Sequence, residues 1–162
     1  MGKAVYPGTF DPVTFGHLDV IKRGAVIFDK LVVAVGGRNI AKSPIFTEAQ
    51  RIDFLKRHTE EIPNVSVVVF DTLTVDFVRS IGISVLLRGV RTVSDFEYEF
   101  QMALTNRQLA DDVETVFVMP SLECSYISGR LIREVVSHGG SVTAFVPEDV
   151  AAALKDKLAP RR

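Results

Sequence analysis

The chain has a single cysteine and no tryptophan, and it lacks an apolar run long enough to cross a membrane. With Cys124 alone, no disulfide can form within the chain, which is typical of proteins in reducing compartments. A membrane-spanning helix needs about 20 consecutive apolar residues, and no segment approaches that length. The chain opens directly on a strand pattern, without the charged and apolar regions of a signal peptide. We therefore expect a cytoplasmic protein that does not associate with a membrane.

Charge of either sign is also not in excess, since 19 lysines and arginines face 20 aspartates and glutamates, for a net charge of −1. This balance gives no bulk attraction for nucleic acid or for an anionic membrane, so any phosphate site has to be local. The length of 162 residues suits one domain, expected over residues 1–162. The apolar fraction of 47% is high for a monomer and indicates that another subunit covers part of the surface.

Strand and helix patterns alternate along the chain. A first strand at Val5 and Tyr6 should end at Pro7, because proline has no N–H to donate to a ladder. Continuous apolar runs predict further strands at residues 30–36, 65–70, 85–87 and 115–119. Helical spacing lies between and after them. This order predicts an α/β protein with a doubly wound, five-stranded parallel sheet.

Capping signals place several helix ends. Thr47 and Gln50 form a capping box for a helix to about residue 59, and Gly82 should close a short helix from residue 74. Ser94 or Asp95 should cap a long helix to about residue 110. Its apolar stripe comprises Phe96, Phe100, Ala103, Leu104 and Leu109. Two more helices are predicted, from residue 128 to a Gly-Gly stop and from residue 147 to about residue 158.

Ligands of such sheets bind beyond the carboxyl ends of the strands, where the strand order reverses. The segments expected at that edge are Thr9, residues 36–42, residues 73–74, residues 88–91 and residues 120–128. The dinucleotide pattern GxGxxG is absent after the first strand, so a site of the NAD type is poorly supported.

The segment AVYPGTFDPVTFGHLD, residues 4–19, carries the most chemistry. Gly8 allows close backbone approach at the strand's end, and Thr9 offers a hydroxyl and an N–H there. Thr14 and His17 share one face of a helix start, where unpaired N–H groups and the macrodipole favour a phosphate. Gly16 between them leaves room for it. A histidine at a helix start is nevertheless more often a solvated or capping residue.

Cations complete the pattern. Arg88-Gly89-Val90-Arg91 places two guanidiniums at the carboxyl end of a strand, which suits a phosphate held from two sides. Either arginine alone would be an ordinary surface residue. Lys42, in the loop AKSPIFT, could likewise be a solvated cation.

These motifs also carry a family resemblance. GTFDP followed by TxGH resembles the signature of nucleotidyltransferases with the (H/T)xGH motif, and threonine in the first place is similar to the bacterial phosphopantetheine adenylyltransferases. The run RGVRTVSDFEYEFQMALTNR, residues 88–107, resembles that family's RG(L/V)R…DFEYE element. Residues 121–134 resemble its ISS(S/T)xxxE/R element. The resemblance spans residues 5–158 and implies a Rossmann-like nucleotidyltransferase fold.

The resemblance implies transfer of the adenylyl group of ATP to 4'-phosphopantetheine, which gives dephospho-coenzyme A and pyrophosphate. His17, Lys42 and Arg88 would be catalytic, and the acceptor would contact Thr9, Lys42, Thr74 and Arg88. Glu99 would face the nucleotide's sugar. The ATP-binding residues would be Thr9, Phe10, His17, Gly89, Val90, Arg91, Glu99, Cys124, Ser125, Tyr126, Ile127, Ser128, Gly129 and Arg130.

The resemblance also implies a homohexamer and inhibition by coenzyme A, and the chemistry of ATP leads us to expect Mg²⁺. The sequence shows no dedicated carboxylate cage for a metal, so no metal ligands are assigned. Gly129 and Arg130 stand where the family commonly has two hydroxyl residues. A glycine keeps a backbone N–H and free approach, whereas Arg130 exchanges a short hydroxyl for a long cation.

Other functions stay open on the sequence alone. Nicotinate-mononucleotide adenylyltransferases and cytidylyltransferases of the same superfamily usually have histidine in place of Thr14, and the cytidylyltransferases carry a GIST-type hydroxyl run that is missing here. A nucleotide-binding regulatory or scaffold module without activity is an alternative from another class. Release of pyrophosphate from ATP and phosphopantetheine discriminates these possibilities.

Overall fold

The computed structural model describes residues 2–37 and 44–158, which form alternating strands and helices. The strands are β1 (Lys3–Gly8), β2 (Lys30–Gly36), β3 (Val65–Phe70), β4 (Val85–Gly89) and β5 (Glu114–Val118). The helices are α1 (Phe15–Ile27), α2 (Glu48–Thr59), α3 (Thr74–Ser80), α4 (Val93–Leu109), α5 (Gly129–Ser137) and α6 (Glu148–Leu158). A short 3₁₀ turn, Leu122–Cys124, follows β5.

All five strands are parallel and lie in the order β3-β2-β1-β4-β5, which confirms the predicted doubly wound sheet. The chain runs outward from β1 to β3 and then crosses back to β4, so the strand order reverses between β1 and β4. Loops that leave these two strands diverge at their carboxyl ends and open a crevice there. The residues after β1 and β4 are therefore the ones placed for a ligand.

Alternation of side chains along the strands divides the core into two layers. On β2, Leu31, Val33 and Val35 pack in the larger cluster, which includes the buried residues of α1, α2, α5 and α6. Val32 and Ala34 pack on the other face with α3 and the segment after α4. Burial on both faces explains why β2 reads as a continuous apolar run, as expected of a parallel sheet.

Pro7 does not end β1, contrary to the sequence expectation. The parallel register with β2 continues through Pro7 opposite Ala34 to Gly8 opposite Val35. Toward β4 the only registered pair is Val5 with Leu86. The Pro7 carbonyl instead accepts a hydrogen bond from Nη1 of Arg88 at 2.6 Å. A side chain thus provides the partner for the backbone at a place where the sheet ladder is interrupted.

Helix and strand boundaries agree with prediction to within one or two residues, and the capping box of Thr47 and Gln50 is confirmed. The cap of α4 was predicted wrongly. Thr92 takes that position, because its hydroxyl accepts from the backbone N–H of Asp95 at 3.2 Å. Gly82 and Gly139 adopt left-handed φ values of +66° and +81° after α3 and α5, as glycine stop signals should.

The apolar stripe of α4 lies largely on the surface. Phe96, Phe100, Leu104 and Leu109 are 44 to 53% exposed, and Glu99 is the one buried residue of this helix. Phe96 stacks on Phe100 and contacts Phe117 of β5 edge to face. Together with Leu104 and Leu109, these rings form an exposed apolar face of the chain, which we call the α4 face.

Candidate active site

A cleft of about 1080 Å³ opens at the carboxyl ends of β1 and β4. Five arginines line it against three carboxylates, so its charge is positive although the chain as a whole is nearly neutral. The arginines are Arg51, Arg88, Arg91, Arg130 and Arg133, and the carboxylates belong to Asp11, Glu99 and Glu134. A cleft with this charge suits a polyphosphate.

His17 lies in the first turn of α1 and is held there by Thr14, the N-cap residue. The Thr14 hydroxyl accepts from the backbone N–H of His17 at 3.2 Å, and the backbone N–H of Thr14 donates to Nδ1 of His17 at 3.1 Å. Because Nδ1 accepts this N–H, the proton of the neutral imidazole resides on Nε2. The capping box therefore presents His17 as a neutral hydrogen-bond donor through Nε2.

Burial, and to a smaller extent the positive charges of Arg91 and Arg88, lower the pKa of His17 to about 4. An imidazole with this pKa is uncharged at neutral pH. Its Nε2–H can therefore donate a hydrogen bond while the ring carries no charge, as expected of a group that stabilises charge on a phosphate oxygen.

Phe10 packs directly against His17. The two ring centroids lie 5.1 Å apart with an interplanar angle of 68°, and the Tyr6 ring lies 5.4 Å from that of Phe10 at 87°. Phe10 is 1% exposed and has a left-handed φ of 51°, which is rare for a residue with a side chain. The sequence suggested that Gly8 leaves room for a ligand, but a Cβ there would lie 3.0 Å from the Phe10 ring.

Arg88 is engaged with protein groups on three sides. Its Nε and Nη2 donate to the two carboxylate oxygens of Glu99 at 2.6 and 2.5 Å, while Nη1 donates to the Pro7 carbonyl. Burial acts to lower the pKa of Arg88, but the hydrogen bond and charge of Glu99 outweigh it and raise that pKa. Burial acts in the opposite direction on the neighbouring Tyr6, whose charged form is an anion, and raises its pKa to about 12. Both groups keep one charge state at neutral pH.

Arg91 joins the end of β4 to the segment before α5. Its Nε pairs with Asp95 at 2.8 Å, and its Nη1 donates to the Ile127 carbonyl. Gly129 and Arg130, the first residues of α5, line the cleft beside it. Gly89 also lines the cleft, and a Cβ there would meet Val20 of α1 at 2.8 Å, so close packing requires glycine at this position.

The structure brings ten of the predicted site residues to the cleft: Thr9, Phe10, His17, Arg88, Gly89, Arg91, Glu99, Ile127, Gly129 and Arg130. Lys42 lies outside the described residues. Thr74, at the start of α3, does not line the cleft, because β3 is two strands away from β1. Val90, Cys124, Ser125, Tyr126 and Ser128 do not line it either. Tyr126, for instance, is 64% exposed and packs on Phe145.

Sequence reasoning missed two buried charged residues next to the cleft. The Asp11 carboxylate accepts from the backbone N–H groups of Ile45 and Phe46 at 2.8 and 3.0 Å and pairs with Arg133 at 3.0 Å. In the sequence, Asp11-Pro12 is only a turn signal and does not indicate these distant partners. Arg51 is 3% exposed in α2. Its position three and four residues before the buried Phe54 and Leu55 was the available signal.

Comparison with known proteins shows the family of the chain. Residues 5–135 match the family described as cytidylyltransferase-like. A phosphopantetheine adenylyltransferase of Caldanaerobacter subterraneus is 51% identical over 98% of both chains, and that of Alkalilimnicola ehrlichii is 53% identical over 93% of this chain and 87% of its own. The chain belongs to the phosphopantetheine adenylyltransferase family.

Solved structures with low sequence identity share the fold. A nicotinic acid mononucleotide adenylyltransferase of Plasmodium falciparum, complexed with NaAD, matches with a TM-score of 0.70 at 13% identity over 96% of this chain and 95% of that one. A lipopolysaccharide core biosynthesis protein of Thermoplasma volcanium matches with a TM-score of 0.53 at 23% identity over 75% of this chain and 97% of its own. These likenesses support the Rossmann-like nucleotidyltransferase fold.

The described part of the chain has neither a metal-binding cluster nor a helix suited to span a membrane. Within residues 2–37 and 44–158, no three histidine, cysteine, aspartate or glutamate side chains cluster so as to hold a metal ion. None of the helices in these ranges has both the length and the apolar character that a bilayer crossing requires.

Proposed function

We infer that this chain transfers the adenylyl group of ATP to 4'-phosphopantetheine, which gives dephospho-coenzyme A and pyrophosphate. The observation that carries this inference is the placement of the Thr14–His17 capping box in one cleft with Arg88 and Arg91. Relatives of about half identity over nearly the full length carry the name of this activity.

The acceptor phosphate attacks the α-phosphorus of ATP in line, and pyrophosphate leaves. No general base is needed, because a phosphomonoester with a second pKa near 6 is mostly dianionic at neutral pH. The protein contributes position and charge stabilisation. Nε2–H of His17 donates to an α-phosphate oxygen as negative charge develops, and the low pKa keeps the imidazole neutral in the protein before the substrates bind.

Further roles follow from the charges around the cleft. Arg91, the backbone N–H of Gly129 and the side chain of Arg130 bind the β- and γ-phosphates at the start of α5, where the helix dipole favours anions. Thr9 contacts both substrates, and Lys42 and Arg88 hold the attacking phosphate. The remaining N–H groups of Arg88 are available for this, since three are already bonded to Glu99 and Pro7.

Other predicted contacts have less support from the geometry. Glu99 lines the cleft, but both its oxygens accept from Arg88, so a contact with the ribose requires sharing an oxygen. A contact of Thr74 with the pantetheine arm needs a substrate that extends beyond the described cleft. Val90, Cys124, Ser125, Tyr126 and Ser128 would reach ATP only through their backbone or through rearrangement.

We propose that Mg²⁺ enters with ATP. The described residues offer no all-protein cage, and Mg²⁺ is commonly held through substrate phosphates and water with few protein ligands. No step above requires a protein-bound metal. The proposed location is the cytoplasm, where ATP is available and a lone cysteine stays reduced.

We also propose a homohexamer that coenzyme A inhibits. Support for assembly comes from the α4 face, whose phenylalanine and leucine side chains are about half exposed. Contiguous exposed apolar surface of this kind marks interaction sites. Coenzyme A contains the pantetheine and adenosine parts of the two substrates, so competition for the cleft is its simplest mode of inhibition.

The assay for this function measures pyrophosphate release from ATP with a panel of acceptors. We expect release with 4'-phosphopantetheine and little with nicotinate mononucleotide, and little when CTP replaces ATP. Release with nicotinate mononucleotide alone would assign the chain to a different reaction of the superfamily. ATP binding without any pyrophosphate release would indicate an inactive nucleotide-binding module.

A further inference from the structure

Arg51 occupies an unusual position beneath the cleft. It is the fourth residue of α2, and its side chain is almost completely buried at 3% exposure. A single amino group, Nη1, donates to the Thr9 carbonyl at 2.8 Å and to the Gly36 carbonyl at 3.0 Å. No ion pair joins Arg51 to a carboxylate of the described residues. Among the described residues, only backbone carbonyls accept hydrogen bonds from this buried guanidinium, which calls for a physical reason because burying an uncompensated charge is costly.

The two carbonyls belong to the tips of neighbouring strands. Gly8 opposite Val35 is the last registered pair of β1 and β2, so Thr9 and Gly36 are the next residues on each side. The guanidinium bridges the two chains at the point where the sheet ladder has ended. Its own Nε is buried and has no hydrogen-bond partner in the part of the chain that the structure describes. The packing therefore satisfies the two carbonyls and leaves part of the guanidinium unsatisfied, which indicates that holding the carbonyls is its task.

The Thr9 carbonyl is part of the peptide plane that leads into Phe10. The orientation of that plane sets φ of Phe10, which is 51° and so in the left-handed region. A phenylalanine keeps such a φ only where its surroundings fix it. Arg51 fixes φ of Phe10 by holding the Thr9 carbonyl, and the Phe10 ring occupies the space that Gly8 leaves because it has no side chain. The ring then lies edge to face on the imidazole of His17.

We propose that Arg51 is a positioning residue for the reaction: by holding the Thr9 carbonyl to that of Gly36, it fixes Phe10 and thereby the His17 imidazole. The proposal rests on the adenylyl-transfer function proposed above. Arg51 acts through Phe10, and the catalytic contact remains that of His17. A displaced imidazole would place Nε2 off the developing charge, and small misplacements of such groups cost about 100-fold in rate.

Two substitutions distinguish the effect of the hydrogen bonds of the Arg51 guanidinium from the effect of its charge. Arg51→Met keeps the length and removes every donor, whereas Arg51→Lys keeps the charge and replaces the planar guanidinium. Arg57→Met is the matched control, since Arg57 is on the same helix with a half-exposed side chain and pairs with Asp53 and Asp149. We expect both Arg51 variants to lose at least about tenfold in kcat with a much smaller change of KM for ATP, and the control to stay near wild type.

The second readout is the NMR shifts of the His17 ring nitrogens, measured without substrate. We expect both Arg51 variants to move these signals, and Phe10→Leu to move them as well. The double variant Arg51→Lys with Phe10→Leu should lose less in kcat than the product of the two single losses, because both act through one ring. If Arg51 had a merely structural role, its substitution would lower the melting temperature. The ring signals would then stay unchanged at temperatures well below that melting temperature.

The outcomes are distinct. Wild-type kcat in Arg51→Lys together with a loss in Arg51→Met would show that charge suffices and would overturn the proposal. Unmoved His17 signals in the variants that fold would overturn it too, and Arg51→Lys decides if Arg51→Met does not fold. Wild-type protein that releases no pyrophosphate would refute the proposed function alone, since the ring signals report on the position of His17 without any reaction.

Discussion

The backbone N–H of Thr14 donates to Nδ1 of His17 at 3.1 Å, and this bond decides which nitrogen of the imidazole faces the cleft as a donor. Burial and two neighbouring arginines keep the ring neutral. Thr14 and His17 therefore form one unit, in which the residue that begins α1 also sets the chemistry of the histidine.

Replacement of His17 by alanine removes the proposed donor to the α-phosphate. We expect turnover to fall several hundredfold or more, as for other lost oxyanion donors, while ATP affinity changes much less. Steady-state pyrophosphate release and ATP titration measure the two quantities. His138→Ala is the control, because His138 is exposed at the end of α5. Turnover at the wild-type level in His17→Ala would remove His17 from the mechanism.

The lowered pKa of His17 predicts how stability depends on pH. The folded protein holds the imidazole neutral down to about pH 4, whereas the unfolded chain takes up a proton near the ordinary value of 6.5. Between these values the unfolded state binds more protons, so stability falls as pH falls from about 6.5 to about 4. The His17 contribution is fully present above pH 6.5. Urea unfolding across this range should show a weaker loss in His17→Gln than in wild type, and parallel curves would contradict the assignment.

The ion pair of Arg88 and Glu99 should contribute far more to stability than an exposed pair. Glu99→Gln removes the charge facing a mostly buried guanidinium, and we expect a loss of about 3 kcal/mol in unfolding free energy. Glu114→Gln is the matched control, because its pair with Arg107 has side chains more than half exposed and should contribute about 1 kcal/mol or less. Chemical denaturation measures both, and equal losses would count against a buried role for Glu99.

The α4 face is the surface through which the proposed homohexamer should assemble. Phe100→Glu places a charge within this face and should shift the sedimentation coefficient toward that of a smaller species without unfolding the chain. Val26→Glu is the control, since Val26 is an apolar residue of α1 that is 87% exposed outside the α4 face. A wild-type sedimentation profile for Phe100→Glu would exclude this face from the assembly.

Local patterns predicted the fold well because residues close in sequence indicate each strand and each helix. Val65–Phe70 and Lys30–Gly36 were placed to the residue, since parallel strands buried on both faces are continuously apolar. Thr14, His17, Arg88 and Arg91 could also be assigned to one cleft, because the carboxyl ends of parallel strands share one edge of the sheet.

Residues whose partners are distant in sequence could not be predicted in this way. Arg51 bonds to a carbonyl 42 residues away, and Asp11 to N–H groups 34 and 35 residues away. The end of β1 was predicted wrongly at Pro7 for the same reason, because the partner of the Pro7 carbonyl is a side chain from β4. The exposed α4 stripe shows the related limit that an amphipathic pattern does not say whether its apolar side faces the core or another chain.

The single registered pair between β1 and β4, Val5 with Leu86, also bears on how the protein is made. His17 and Arg88 reach a common cleft only after the chain has completed three crossovers and returned to its first strand. A nascent polypeptide that stops before β4 contains the whole TxGH motif and yet lacks Arg88, Arg91 and the start of α5, so we expect activity to emerge late in synthesis.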